Sequence, residues 1–255
     1  MLVDSHCHLD FPELASQLDS VLALMRDNDV SHALCISVKL EDFPQVRALA
    51  EGYPPLYGSV GVHPDYEDVT EPSVDRLVEL ANHPRIVGIG ETGLDYYRLK
   101  GDLEWQRDRF RCHIRAAREC RKPLIIHTRS AAEDTLRIMR EERAGEVRGV
   151  MHCFTESWEV ASAAMDLGFY ISFSGIVTFK NAQALKEVAR KVPLEHMLVE
   201  TDSPFLAPVP FRGKVNQPGF VKHVAEEISR LKGVPFEEVA GRTTDNFHRL
   251  FGTGK

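Results

Sequence analysis

The chain has 255 residues, of which 43% are hydrophobic and 27% are charged, as is usual for a globular protein in water. Its formal net charge of −7 argues against non-specific binding of duplex nucleic acid through a broad basic face, although bound cations could still hold a phosphate substrate. No stretch approaches the roughly 18 apolar residues that a membrane-spanning helix needs, and no apolar leader follows Met1, so we expect a cytoplasmic monomer without membrane contact.

The five cysteines are odd in number, widely spaced and contain no Cys-x-x-Cys motif. This usage is typical of free thiols in a reducing compartment. Cys7 and Cys153 each lie beside a histidine, which leaves a cysteine nucleophile open as a sharper interpretation. We favour buried structural thiols, because the neighbouring histidines have a better use as metal ligands.

Apolar, β-prone runs recur along the chain, and the intervals between them mostly carry apolar residues at helical spacing, as in Leu18, Val21, Leu22 and Met25. Alternating strands and helices predict parallel strands joined by helical crossovers. We therefore predict one α/β domain over residues 1–255, a (β/α)8 TIM barrel, with an open doubly wound sheet as the alternative. The eight runs are residues 2–5, 33–38, 56–62, 86–90, 124–126, 150–151, 170–173 and 197–199.

The chain after the eighth run is predicted to complete the mouth of the barrel and its outer layer. Residues 207–214 are too rich in proline for regular structure and should form an ordered loop over the strand ends. Residues 219–231 and 236–251 have the patterns of two closing helices. In a barrel and in a doubly wound sheet alike, chemistry lies at the carboxyl ends of the strands, so the residues at those ends decide the function.

Side chains that bind metals or transfer protons follow most of the predicted strands. His6 and His8 lie two residues apart and therefore share one face of an extended chain. Imidazole nitrogen is a good ligand for many divalent cations. The strand-end set is His6 and His8 after the first run, His63 after the third, Glu91 after the fourth, His127 and Arg129 after the fifth, His152 after the sixth, and Glu200 and Asp202 after the eighth.

The remaining histidines serve as a comparison, because they fall before the predicted strands or within helices. We expect solvated or capping roles for five of them and a structural role for His248 in the final helix. Each strand-end histidine taken alone could equally be a hydrogen-bonded core residue, but five in register around one mouth favour a shared site. The histidines outside the set are His32, His83, His113, His196, His223 and His248.

The strand-end donors exceed the needs of one tetrahedral ion. They suit two divalent ions about 3.5–4 Å apart with a carboxylate between them. A site that mixes imidazoles with carboxylates accepts several metals, and Mg²⁺, Mn²⁺ and Zn²⁺ are the candidates. The predicted allocation places His6, His8 and Asp202 on one ion, His127 and His152 on the other, and Glu91 between them.

Three further carboxylates lie close to the predicted ligands in the sequence. Asp10 and Asp95 could orient ligand histidines from behind, with solvated loop positions as the alternative. Glu200 has the same strand parity as Asp202, so a direct and an indirect role at the site are both open.

Six segments of the chain match a known family: residues 4–9 (DSHCHL), 60–64 (VGVHP), 88–96 (GIGETGLDY), 127–129 (HTR), 152–154 (HCF) and 200–204 (ETDSP). They resemble the TatD family of metal-dependent deoxyribonucleases, particularly its bacterial YcfH-like branch. The resemblance covers nearly the whole chain in order. It implies a metal-dependent hydrolase barrel of the amidohydrolase type, hydrolysis of DNA phosphodiester bonds, and metal ligation by the six residues allocated above.

Hydrolysis of a phosphodiester needs an activated water, neutralised phosphate oxygens and a stabilised leaving group, and two divalent ions can supply all three. We assign Asp202 as a ligand and as the general base toward the water. Glu91 acts in catalysis through the ions that it bridges. His63 is the ambiguous member of the set, and we expect it to contact phosphate or to pass a proton to the leaving group.

Three more residues are predicted to bind substrate beside His63. Arg129 can offer its planar guanidinium to phosphate oxygens, and Arg212 can guide a single strand from the loop after the eighth run. Tyr96 can stack on a base, with local packing as the alternative. The acidic composition and the lack of a long basic stripe favour strand ends over a duplex groove. We therefore predict a 3′–5′ exonuclease that acts on single-stranded or frayed DNA ends.

A second interpretation keeps the site and changes the bond: an amidohydrolase acting on C–N or ester bonds, such as a D-aminoacyl-tRNA deacylase. Many barrels of that type bridge their metals with a carboxylated lysine at the end of the fourth strand, where this chain has Glu91 and no lysine. The phosphodiesterase is therefore favoured. A third interpretation, a metal-loaded scaffold without catalysis, is disfavoured because the ligand set is complete and includes a candidate base.

Overall fold

The computed structural model describes residues 1–254, which form a barrel of eight parallel strands with ten α-helices between and around them. Strands adjacent in sequence are adjacent in the sheet from β1 to β8. No helix within residues 1–254 is long and apolar enough to cross a membrane. The strands are β1 Leu2–Cys7, β2 Val30–Cys35, β3 Leu56–Val60, β4 Ile86–Asp95, β5 Leu124–Arg129, β6 Gly149–Met151, β7 Phe169–Phe173 and β8 Met197–Val199. The helices are α1 Pro12–Ala15, α2 Leu18–Asp27, α3 Phe43–Gly52, α4 Val74–Ala81, α5 Glu104–Cys120, α6 Ala132–Glu141, α7 Trp158–Asp166, α8 Gln183–Lys191, α9 Val221–Lys232 and α10 Phe236–Phe251.

Contacts between β1 and the segment after β8 close the barrel. Cys7 forms a parallel bridge with Ser203, whose carbonyl accepts a hydrogen bond of 2.8 Å from the His8 amide. The buried Asp4 carboxylate accepts hydrogen bonds from the Thr201 amide at 2.8 Å and from the Thr201 hydroxyl at 2.5 Å. Burial raises the pKa of Asp4 well above its usual range, although these bonds oppose the shift. The predicted (β/α)8 barrel is confirmed, and the open doubly wound sheet is excluded.

Apolar side chains fill the barrel interior toward the amino-terminal ends of the strands. Each strand contributes a residue to this cluster, and Phe247 and Phe251 of α10 pack against it. Asn246 donates hydrogen bonds to the carbonyls of Leu194 and Met197 at 2.7 and 2.9 Å, which ties α10 to the start of β8. Because this end is plugged, the opposite end is left for polar chemistry. The strand residues of the cluster are Val3, Leu34, Tyr57, Val87, Ile125, Val150, Tyr170 and Leu198.

Several strands extend beyond the apolar runs that predicted them, and in β2 and β4 the extension moves a histidine or a carboxylate into the strand. β2 begins at Val30, three residues before the predicted start, so His32 lies within the strand and not before it. β4 continues through Glu91 to Asp95, because its last residues pair with β5 after a register shift that follows Ile89. Both extensions contain polar residues, so a prediction based on runs of apolar residues does not detect them.

His113 differs from the expectation for histidines outside the strand-end set, because it is fully buried on α5. Its Nε2 accepts a hydrogen bond from the Val62 amide at 3.0 Å, and its Nδ1 donates to the Arg109 carbonyl at 2.8 Å. Burial lowers the pKa of His113 to about 4, which keeps the imidazole neutral at neutral pH. The ring therefore holds the backbone that leads into His63.

We predict that His113 makes the protein less stable on mild acidification. Its pKa is 6.5 when unperturbed and about 4 when buried, so the unfolded state takes up the proton first. The contribution of the neutral His113 ring to the free energy of unfolding is fully present above about pH 6.5 and is lost as the pH falls toward about 4. Between about pH 7 and about pH 4.5, the free energy of unfolding of the wild type should fall by about 2 kcal/mol more than that of His113→Gln. Urea titrations in a chelating buffer measure this, and equal slopes for both proteins would contradict it.

Candidate metal centre

A cavity of about 800 Å³ opens at the carboxyl ends of the strands. This volume lies in the upper part of the range for small-molecule sites, about 300–1,000 Å³. His6 is fully buried and does not itself line the cavity. Its Nε2 lies close to Glu91 and Asp202, which do. The structure therefore brings the predicted ligands together at one mouth. The predicted site residues that line the cavity are His8, His63, Glu91, His127, Arg129, His152 and Asp202.

Glu91 is the centre of the cluster, and three imidazoles converge on one of its oxygens. Its Oε1 lies 2.8 Å from Nε2 of His152, 3.1 Å from Nε2 of His63 and 3.3 Å from Nδ1 of His127. Burial by itself would raise the pKa of Glu91, but His152, His63 and His6 hold it well below its usual range. Glu91 is therefore a buried anion that needs positive charge around it.

The second oxygen of Glu91 faces the other half of the predicted ligand set. Its Oε2 lies 3.2 Å from Nε2 of His6 and 3.9 Å from Nε2 of His8. The same two nitrogens lie 3.7 and 3.4 Å from Oδ1 of Asp202. Burial would raise the pKa of Asp202, but His8, His6 and His152 lower it, so this carboxylate is also anionic. Two carboxylates and their surrounding imidazoles thus share one small volume.

Hydrogen bonds behind three of these imidazoles fix the orientation of the rings. In each ring the nitrogen that points away from the cluster donates to a fixed acceptor, which leaves the nitrogen that faces the carboxylates to bind a proton or a metal ion. Burial alone would lower the pKa of His152, but Glu91 and Glu200 raise it well above its usual range, so the 2.8 Å gap between Nε2 of His152 and Oε1 of Glu91 calls for positive charge. The donors therefore fit metal ions. The bonds run from His8 Nδ1 to the Ile36 carbonyl at 3.3 Å, from His127 Nε2 to Asp95 Oδ2 at 3.1 Å, and from His152 Nδ1 to Glu200 Oε1 at 3.2 Å.

Buried nitrogen atoms without partners give the same indication. Among residues 1–254, neither ring nitrogen of His6 has a hydrogen-bond partner, nor does Nε2 of His152. Such atoms are rare in folded proteins, and an ion or water commonly explains them. The coordinates group the donors into three overlapping sets that could hold a metal: His6 with His152 and Asp202, His6 with His8 and Glu91, and His63 with Glu91 and His127.

His63 stands apart from the other imidazoles. Its Nδ1 accepts a hydrogen bond from the Asp65 amide at 3.1 Å, so the hydrogen of the neutral ring is on Nε2. That N–H faces Oε1 of Glu91 at 3.1 Å and is a donor, not a lone pair. Although His63 lies within one of the possible ligand sets, this tautomer suits donation to a substrate oxygen better than metal binding.

The structure brings one of the two predicted phosphate-binding arginines to the cavity. Arg129 lines the wall, and its guanidinium lies 4.0 Å from the centre of the Tyr97 ring. Arg212 is exposed outside the lining and lies over the Phe179 ring at 3.6 Å. A direct contact with phosphate at the metal centre is therefore open to Arg129 and not to Arg212 in this position.

Tyr96 and Asp10 do not take the places that we predicted for them. The Tyr96 hydroxyl donates to Asp134 at 2.7 Å and accepts from Arg107 at 3.1 Å, so the ring packs outside the cavity and is not placed to stack on a base. Asp10 accepts a hydrogen bond from the Cys35 thiol at 3.8 Å and makes none to a ligand histidine within residues 1–254. Local packing, the alternative for Tyr96, therefore applies, whereas Asp10 is partly buried and burial raises its pKa, so it is not a solvated loop residue.

Burial also removes the cysteine nucleophile as an interpretation. It raises the pKa of the Cys7 and Cys153 thiols well above their usual range. The Cys7 thiol donates to the Leu34 carbonyl at 3.4 Å, and Cys153 lies 3.3 Å from the Ser174 hydroxyl. Neither thiol is activated for attack, since the thiolate is the reactive form.

Loop residues that the strand pattern did not indicate complete the cavity wall. Asp65, after β3, accepts a hydrogen bond of 2.9 Å from the Arg98 guanidinium across the rim. Phe11, after β1, and Phe205, after β8, line the same wall. Asp65 and Phe205 had a positional signal, because they directly follow the segments 60–64 and 200–204, whereas Phe11 had none.

Known proteins resemble this chain over almost all of its length. The sequence model of the family described as TatD related DNase matches residues 3–252. YcfH of Escherichia coli K12, named an uncharacterized metal-dependent hydrolase, is 50% identical over 254 residues, covering 98% of this chain and 95% of that protein. YabD of Bacillus subtilis 168, named in the same way, is 43% identical over 252 residues, covering 98% of this chain and 99% of that protein. The crystal structure of the TatD homologue YjjV from Escherichia coli K12 matches with a TM-score of 0.91 at 28% identity, covering 99% of this chain and 98% of that one.

Proposed function

We propose, because the chain belongs to the family of TatD-related DNases, that it is a metal-dependent deoxyribonuclease that shortens single-stranded or frayed DNA from the 3′ end. The match across residues 3–252 confirms the resemblance, and the relatives are named metal-dependent hydrolases. The observation that carries the reaction class is Glu91, whose two oxygens face separate sets of imidazole nitrogens. A shared carboxylate suits two cations about 3.5–4 Å apart, an arrangement that serves in-line displacement at phosphate.

In the proposal two divalent ions, Mg²⁺, Mn²⁺ or Zn²⁺, occupy the centre. When bound, they acidify water and neutralise phosphate oxygens. Asp95 and Glu200 orient two of the ligand rings through the hydrogen bonds described above, and such supporting contacts typically affect metal affinity or activity 10- to 100-fold. One ion would be held by His6, His8 and Asp202 and the other by His127 and His152, and Glu91 would be shared between them.

Asp202 is the proposed general base. Its carboxylate is held anionic by the neighbouring imidazoles and lines the cavity that the attacking water would enter. An anionic carboxylate within hydrogen-bond reach of that water can take its proton. In the proposal Asp202 would therefore both hold a metal ion and accept the proton of the water.

His63 and Arg129 are the proposed contacts to the substrate phosphate. The Nε2–H of His63 is directed into the centre by the Asp65 bond on the opposite nitrogen, so it can donate to a phosphate or leaving-group oxygen. Arg129 adds a planar set of N–H donors from the wall. Together they give the phosphate a defined orientation relative to Asp202.

The charge of the chain supports a strand end as the substrate. A formal net charge of −7 argues against a broad basic face of the kind that binds a duplex, so in the proposal the affinity comes from the site itself. The five free cysteines are in keeping with a reducing compartment, and we propose that the enzyme acts as a monomer in the cytoplasm.

An amidohydrolase for C–N or ester bonds, such as a D-aminoacyl-tRNA deacylase, is the competing function. The fourth strand, Ile86–Asp95, has no lysine that could be carboxylated to bridge two metals, and Glu91 lies in that place. This favours the phosphodiesterase. The deacylase becomes one outcome of the experiment that follows.

Purified enzyme loaded with Mn²⁺ is expected to shorten a labelled single-stranded oligonucleotide from its 3′ end and to act more slowly on a blunt duplex. A phosphorothioate cap at the 3′ end should stop digestion, whereas the same cap at the 5′ end should not. Chelation should abolish activity, and added Mn²⁺ should restore it, because the ions supply the activated water. Denaturing gels measure the ladder of products.

Two results would contradict the nuclease. Hydrolysis of a D-aminoacyl-tRNA ester without hydrolysis of any oligonucleotide would assign the deacylase instead. Digestion that survives removal of metal, with metal content verified, would show that the observed activity does not come from this centre.

A further inference from the structure

Two exposed aromatic rings lie at the cavity, one in its lining and one behind a lining residue. Tyr97 is 60% exposed and Phe205 is 52% exposed. Phe205 lines the cavity, and Tyr97 carries the lining residue Arg129 on its face. Single exposed apolar side chains are ordinary, so their position and support must carry any further conclusion. The exposed large hydrophobic side chains within residues 1–254 are Met1, Tyr97, Phe205, Val209 and Val215.

Phe205 is held in place close to the proposed general base. Its amide donates to the Asp202 carbonyl at 3.0 Å, and its carbonyl accepts from the Asn216 side chain at 2.7 Å. The Phe11 ring packs edge-on against it at 6.0 Å and stacks on His8 at 4.9 Å. A half-exposed ring with this support is preorganised to take a flat partner at little cost in entropy.

Arg129 and Tyr97 form a second flat surface on the wall. Arg129 lies at the end of β5, two residues beyond His127. Its neighbour in the wall, Arg98, is paired with Asp65, whereas Arg129 makes no ion pair with any residue in the range 1–254. A guanidinium over an aromatic ring keeps its edge N–H groups free for phosphate oxygens. The pair therefore offers a stacking face and a phosphate donor together.

We propose that two platforms, Phe205 on one side and the Tyr97–Arg129 pair on the other, hold unstacked bases on either side of the scissile phosphate. The inference rests on the proposed nuclease function and specifies its substrate class: a single strand whose bases flanking the cut are free to stack on protein. Paired bases in a duplex do not offer their faces in this way. The platforms, not the metal centre, thus select the single strand.

An abasic scan of the substrate tests the platforms. Oligonucleotides with one abasic nucleotide at successive positions around the cut are digested by the wild type, Phe205→Ala and Tyr97→Ala, and kcat/KM is measured for each. For the wild type we expect a loss of about 5- to 150-fold at two positions. At one of them Phe205→Ala should cause no further loss, and at the other Tyr97→Ala should cause none, because the stacking partner is already missing.

Two further variants serve as controls for the abasic scan. Val209→Ala truncates a side chain that is 48% exposed on the loop of Phe205 but outside the cavity lining, so it should reproduce the wild-type scan. Phe205→Trp keeps an aromatic face, so its kcat/KM should still fall when the base at that position is removed. This result would show that Phe205→Ala loses stacking and is not merely misfolded.

If removing the ring and removing the base lowered kcat/KM additively at every position, the platforms would be ruled out and the nuclease function would stand. Equal rates on single strands and blunt duplexes would do the same. A metal-loaded wild type that cleaves no oligonucleotide would overturn both the nuclease function and the platforms.

Discussion

Replacing Glu91 by glutamine is expected to remove at least one metal ion per chain and to lower kcat/KM about 10³-fold or more. The amide has nearly the size of the carboxylate, but it is neutral and exchanges one acceptor oxygen for a donor. His152 at 2.8 Å and His6 at 3.2 Å would then face a group that cannot share a cation with both. Elemental mass spectrometry measures the metal content, and single-strand digestion measures kcat/KM.

Glu79→Gln is the matched control for this change. Glu79 lies on the surface of α4 and pairs with Arg76 at 2.7 Å. Exposed ion pairs contribute little to stability, so this variant should keep its metal and its activity. Circular dichroism shows whether Glu91→Gln is folded. A folded Glu91→Gln with unchanged metal and unchanged kcat/KM would show that Glu91 is not shared between ions.

Asp202→Asn is expected to lower kcat by about 10²- to 10⁴-fold even when metal is saturating. Asparagine keeps an oxygen that can face a cation but cannot accept a proton from water. The metal affinity of the variant should fall as well, because Asp202 Oδ1 lies 3.7 and 3.4 Å from the ring nitrogens of His6 and His8. Kinetics at increasing Mn²⁺ separate the two effects, since excess metal restores binding and cannot restore the base.

Asp166→Asn makes the same change at an exposed position at the end of α7, and it should behave as the wild type. If excess Mn²⁺ returned Asp202→Asn to the wild-type kcat, Asp202 would be a ligand alone. The proton would then pass to another group of the cavity.

The location of the site could be predicted because it depends only on the alternation of strands and helices and on the topology of a parallel barrel. His6, His127 and His152 each follow or end an apolar run, and a parallel barrel brings such ends together whatever the details of packing. Glu91 was found in the same way, although it lies inside β4 and not after it. These inferences need no knowledge of side-chain orientation.

The hydrogen bonds that orient the rings could not be predicted, because they join distant parts of the chain. His152 bonds to Glu200, 48 residues later, and His127 bonds to Asp95, 32 residues earlier. From the sequence, Glu200 could act directly or indirectly, and Asp95 could support a ligand histidine or lie in a solvated loop. The orientation of each ring, and with it the case for positive charge between the ring and Glu91, follows only when these contacts are seen.

The same reason explains two other outcomes. Tyr96 stands beside the motif that contains Glu91, yet its hydroxyl is taken by Asp134, 38 residues away, so the ring turns from the cavity. Asp4 begins the first motif, and its contacts with Thr201 across 197 residues exist only because the barrel closes. Strand alternation predicts which elements meet, but not which side chains are used to join them.

Anomalous diffraction from crystals loaded with Mn²⁺ tests the central claim most directly. We expect two peaks about 3.5–4 Å apart, one beside Oε1 of Glu91 near His127 and His152, and one beside Oε2 near His6 and His8. A single peak, or peaks that do not contact Glu91, would contradict a metal pair bridged by this carboxylate.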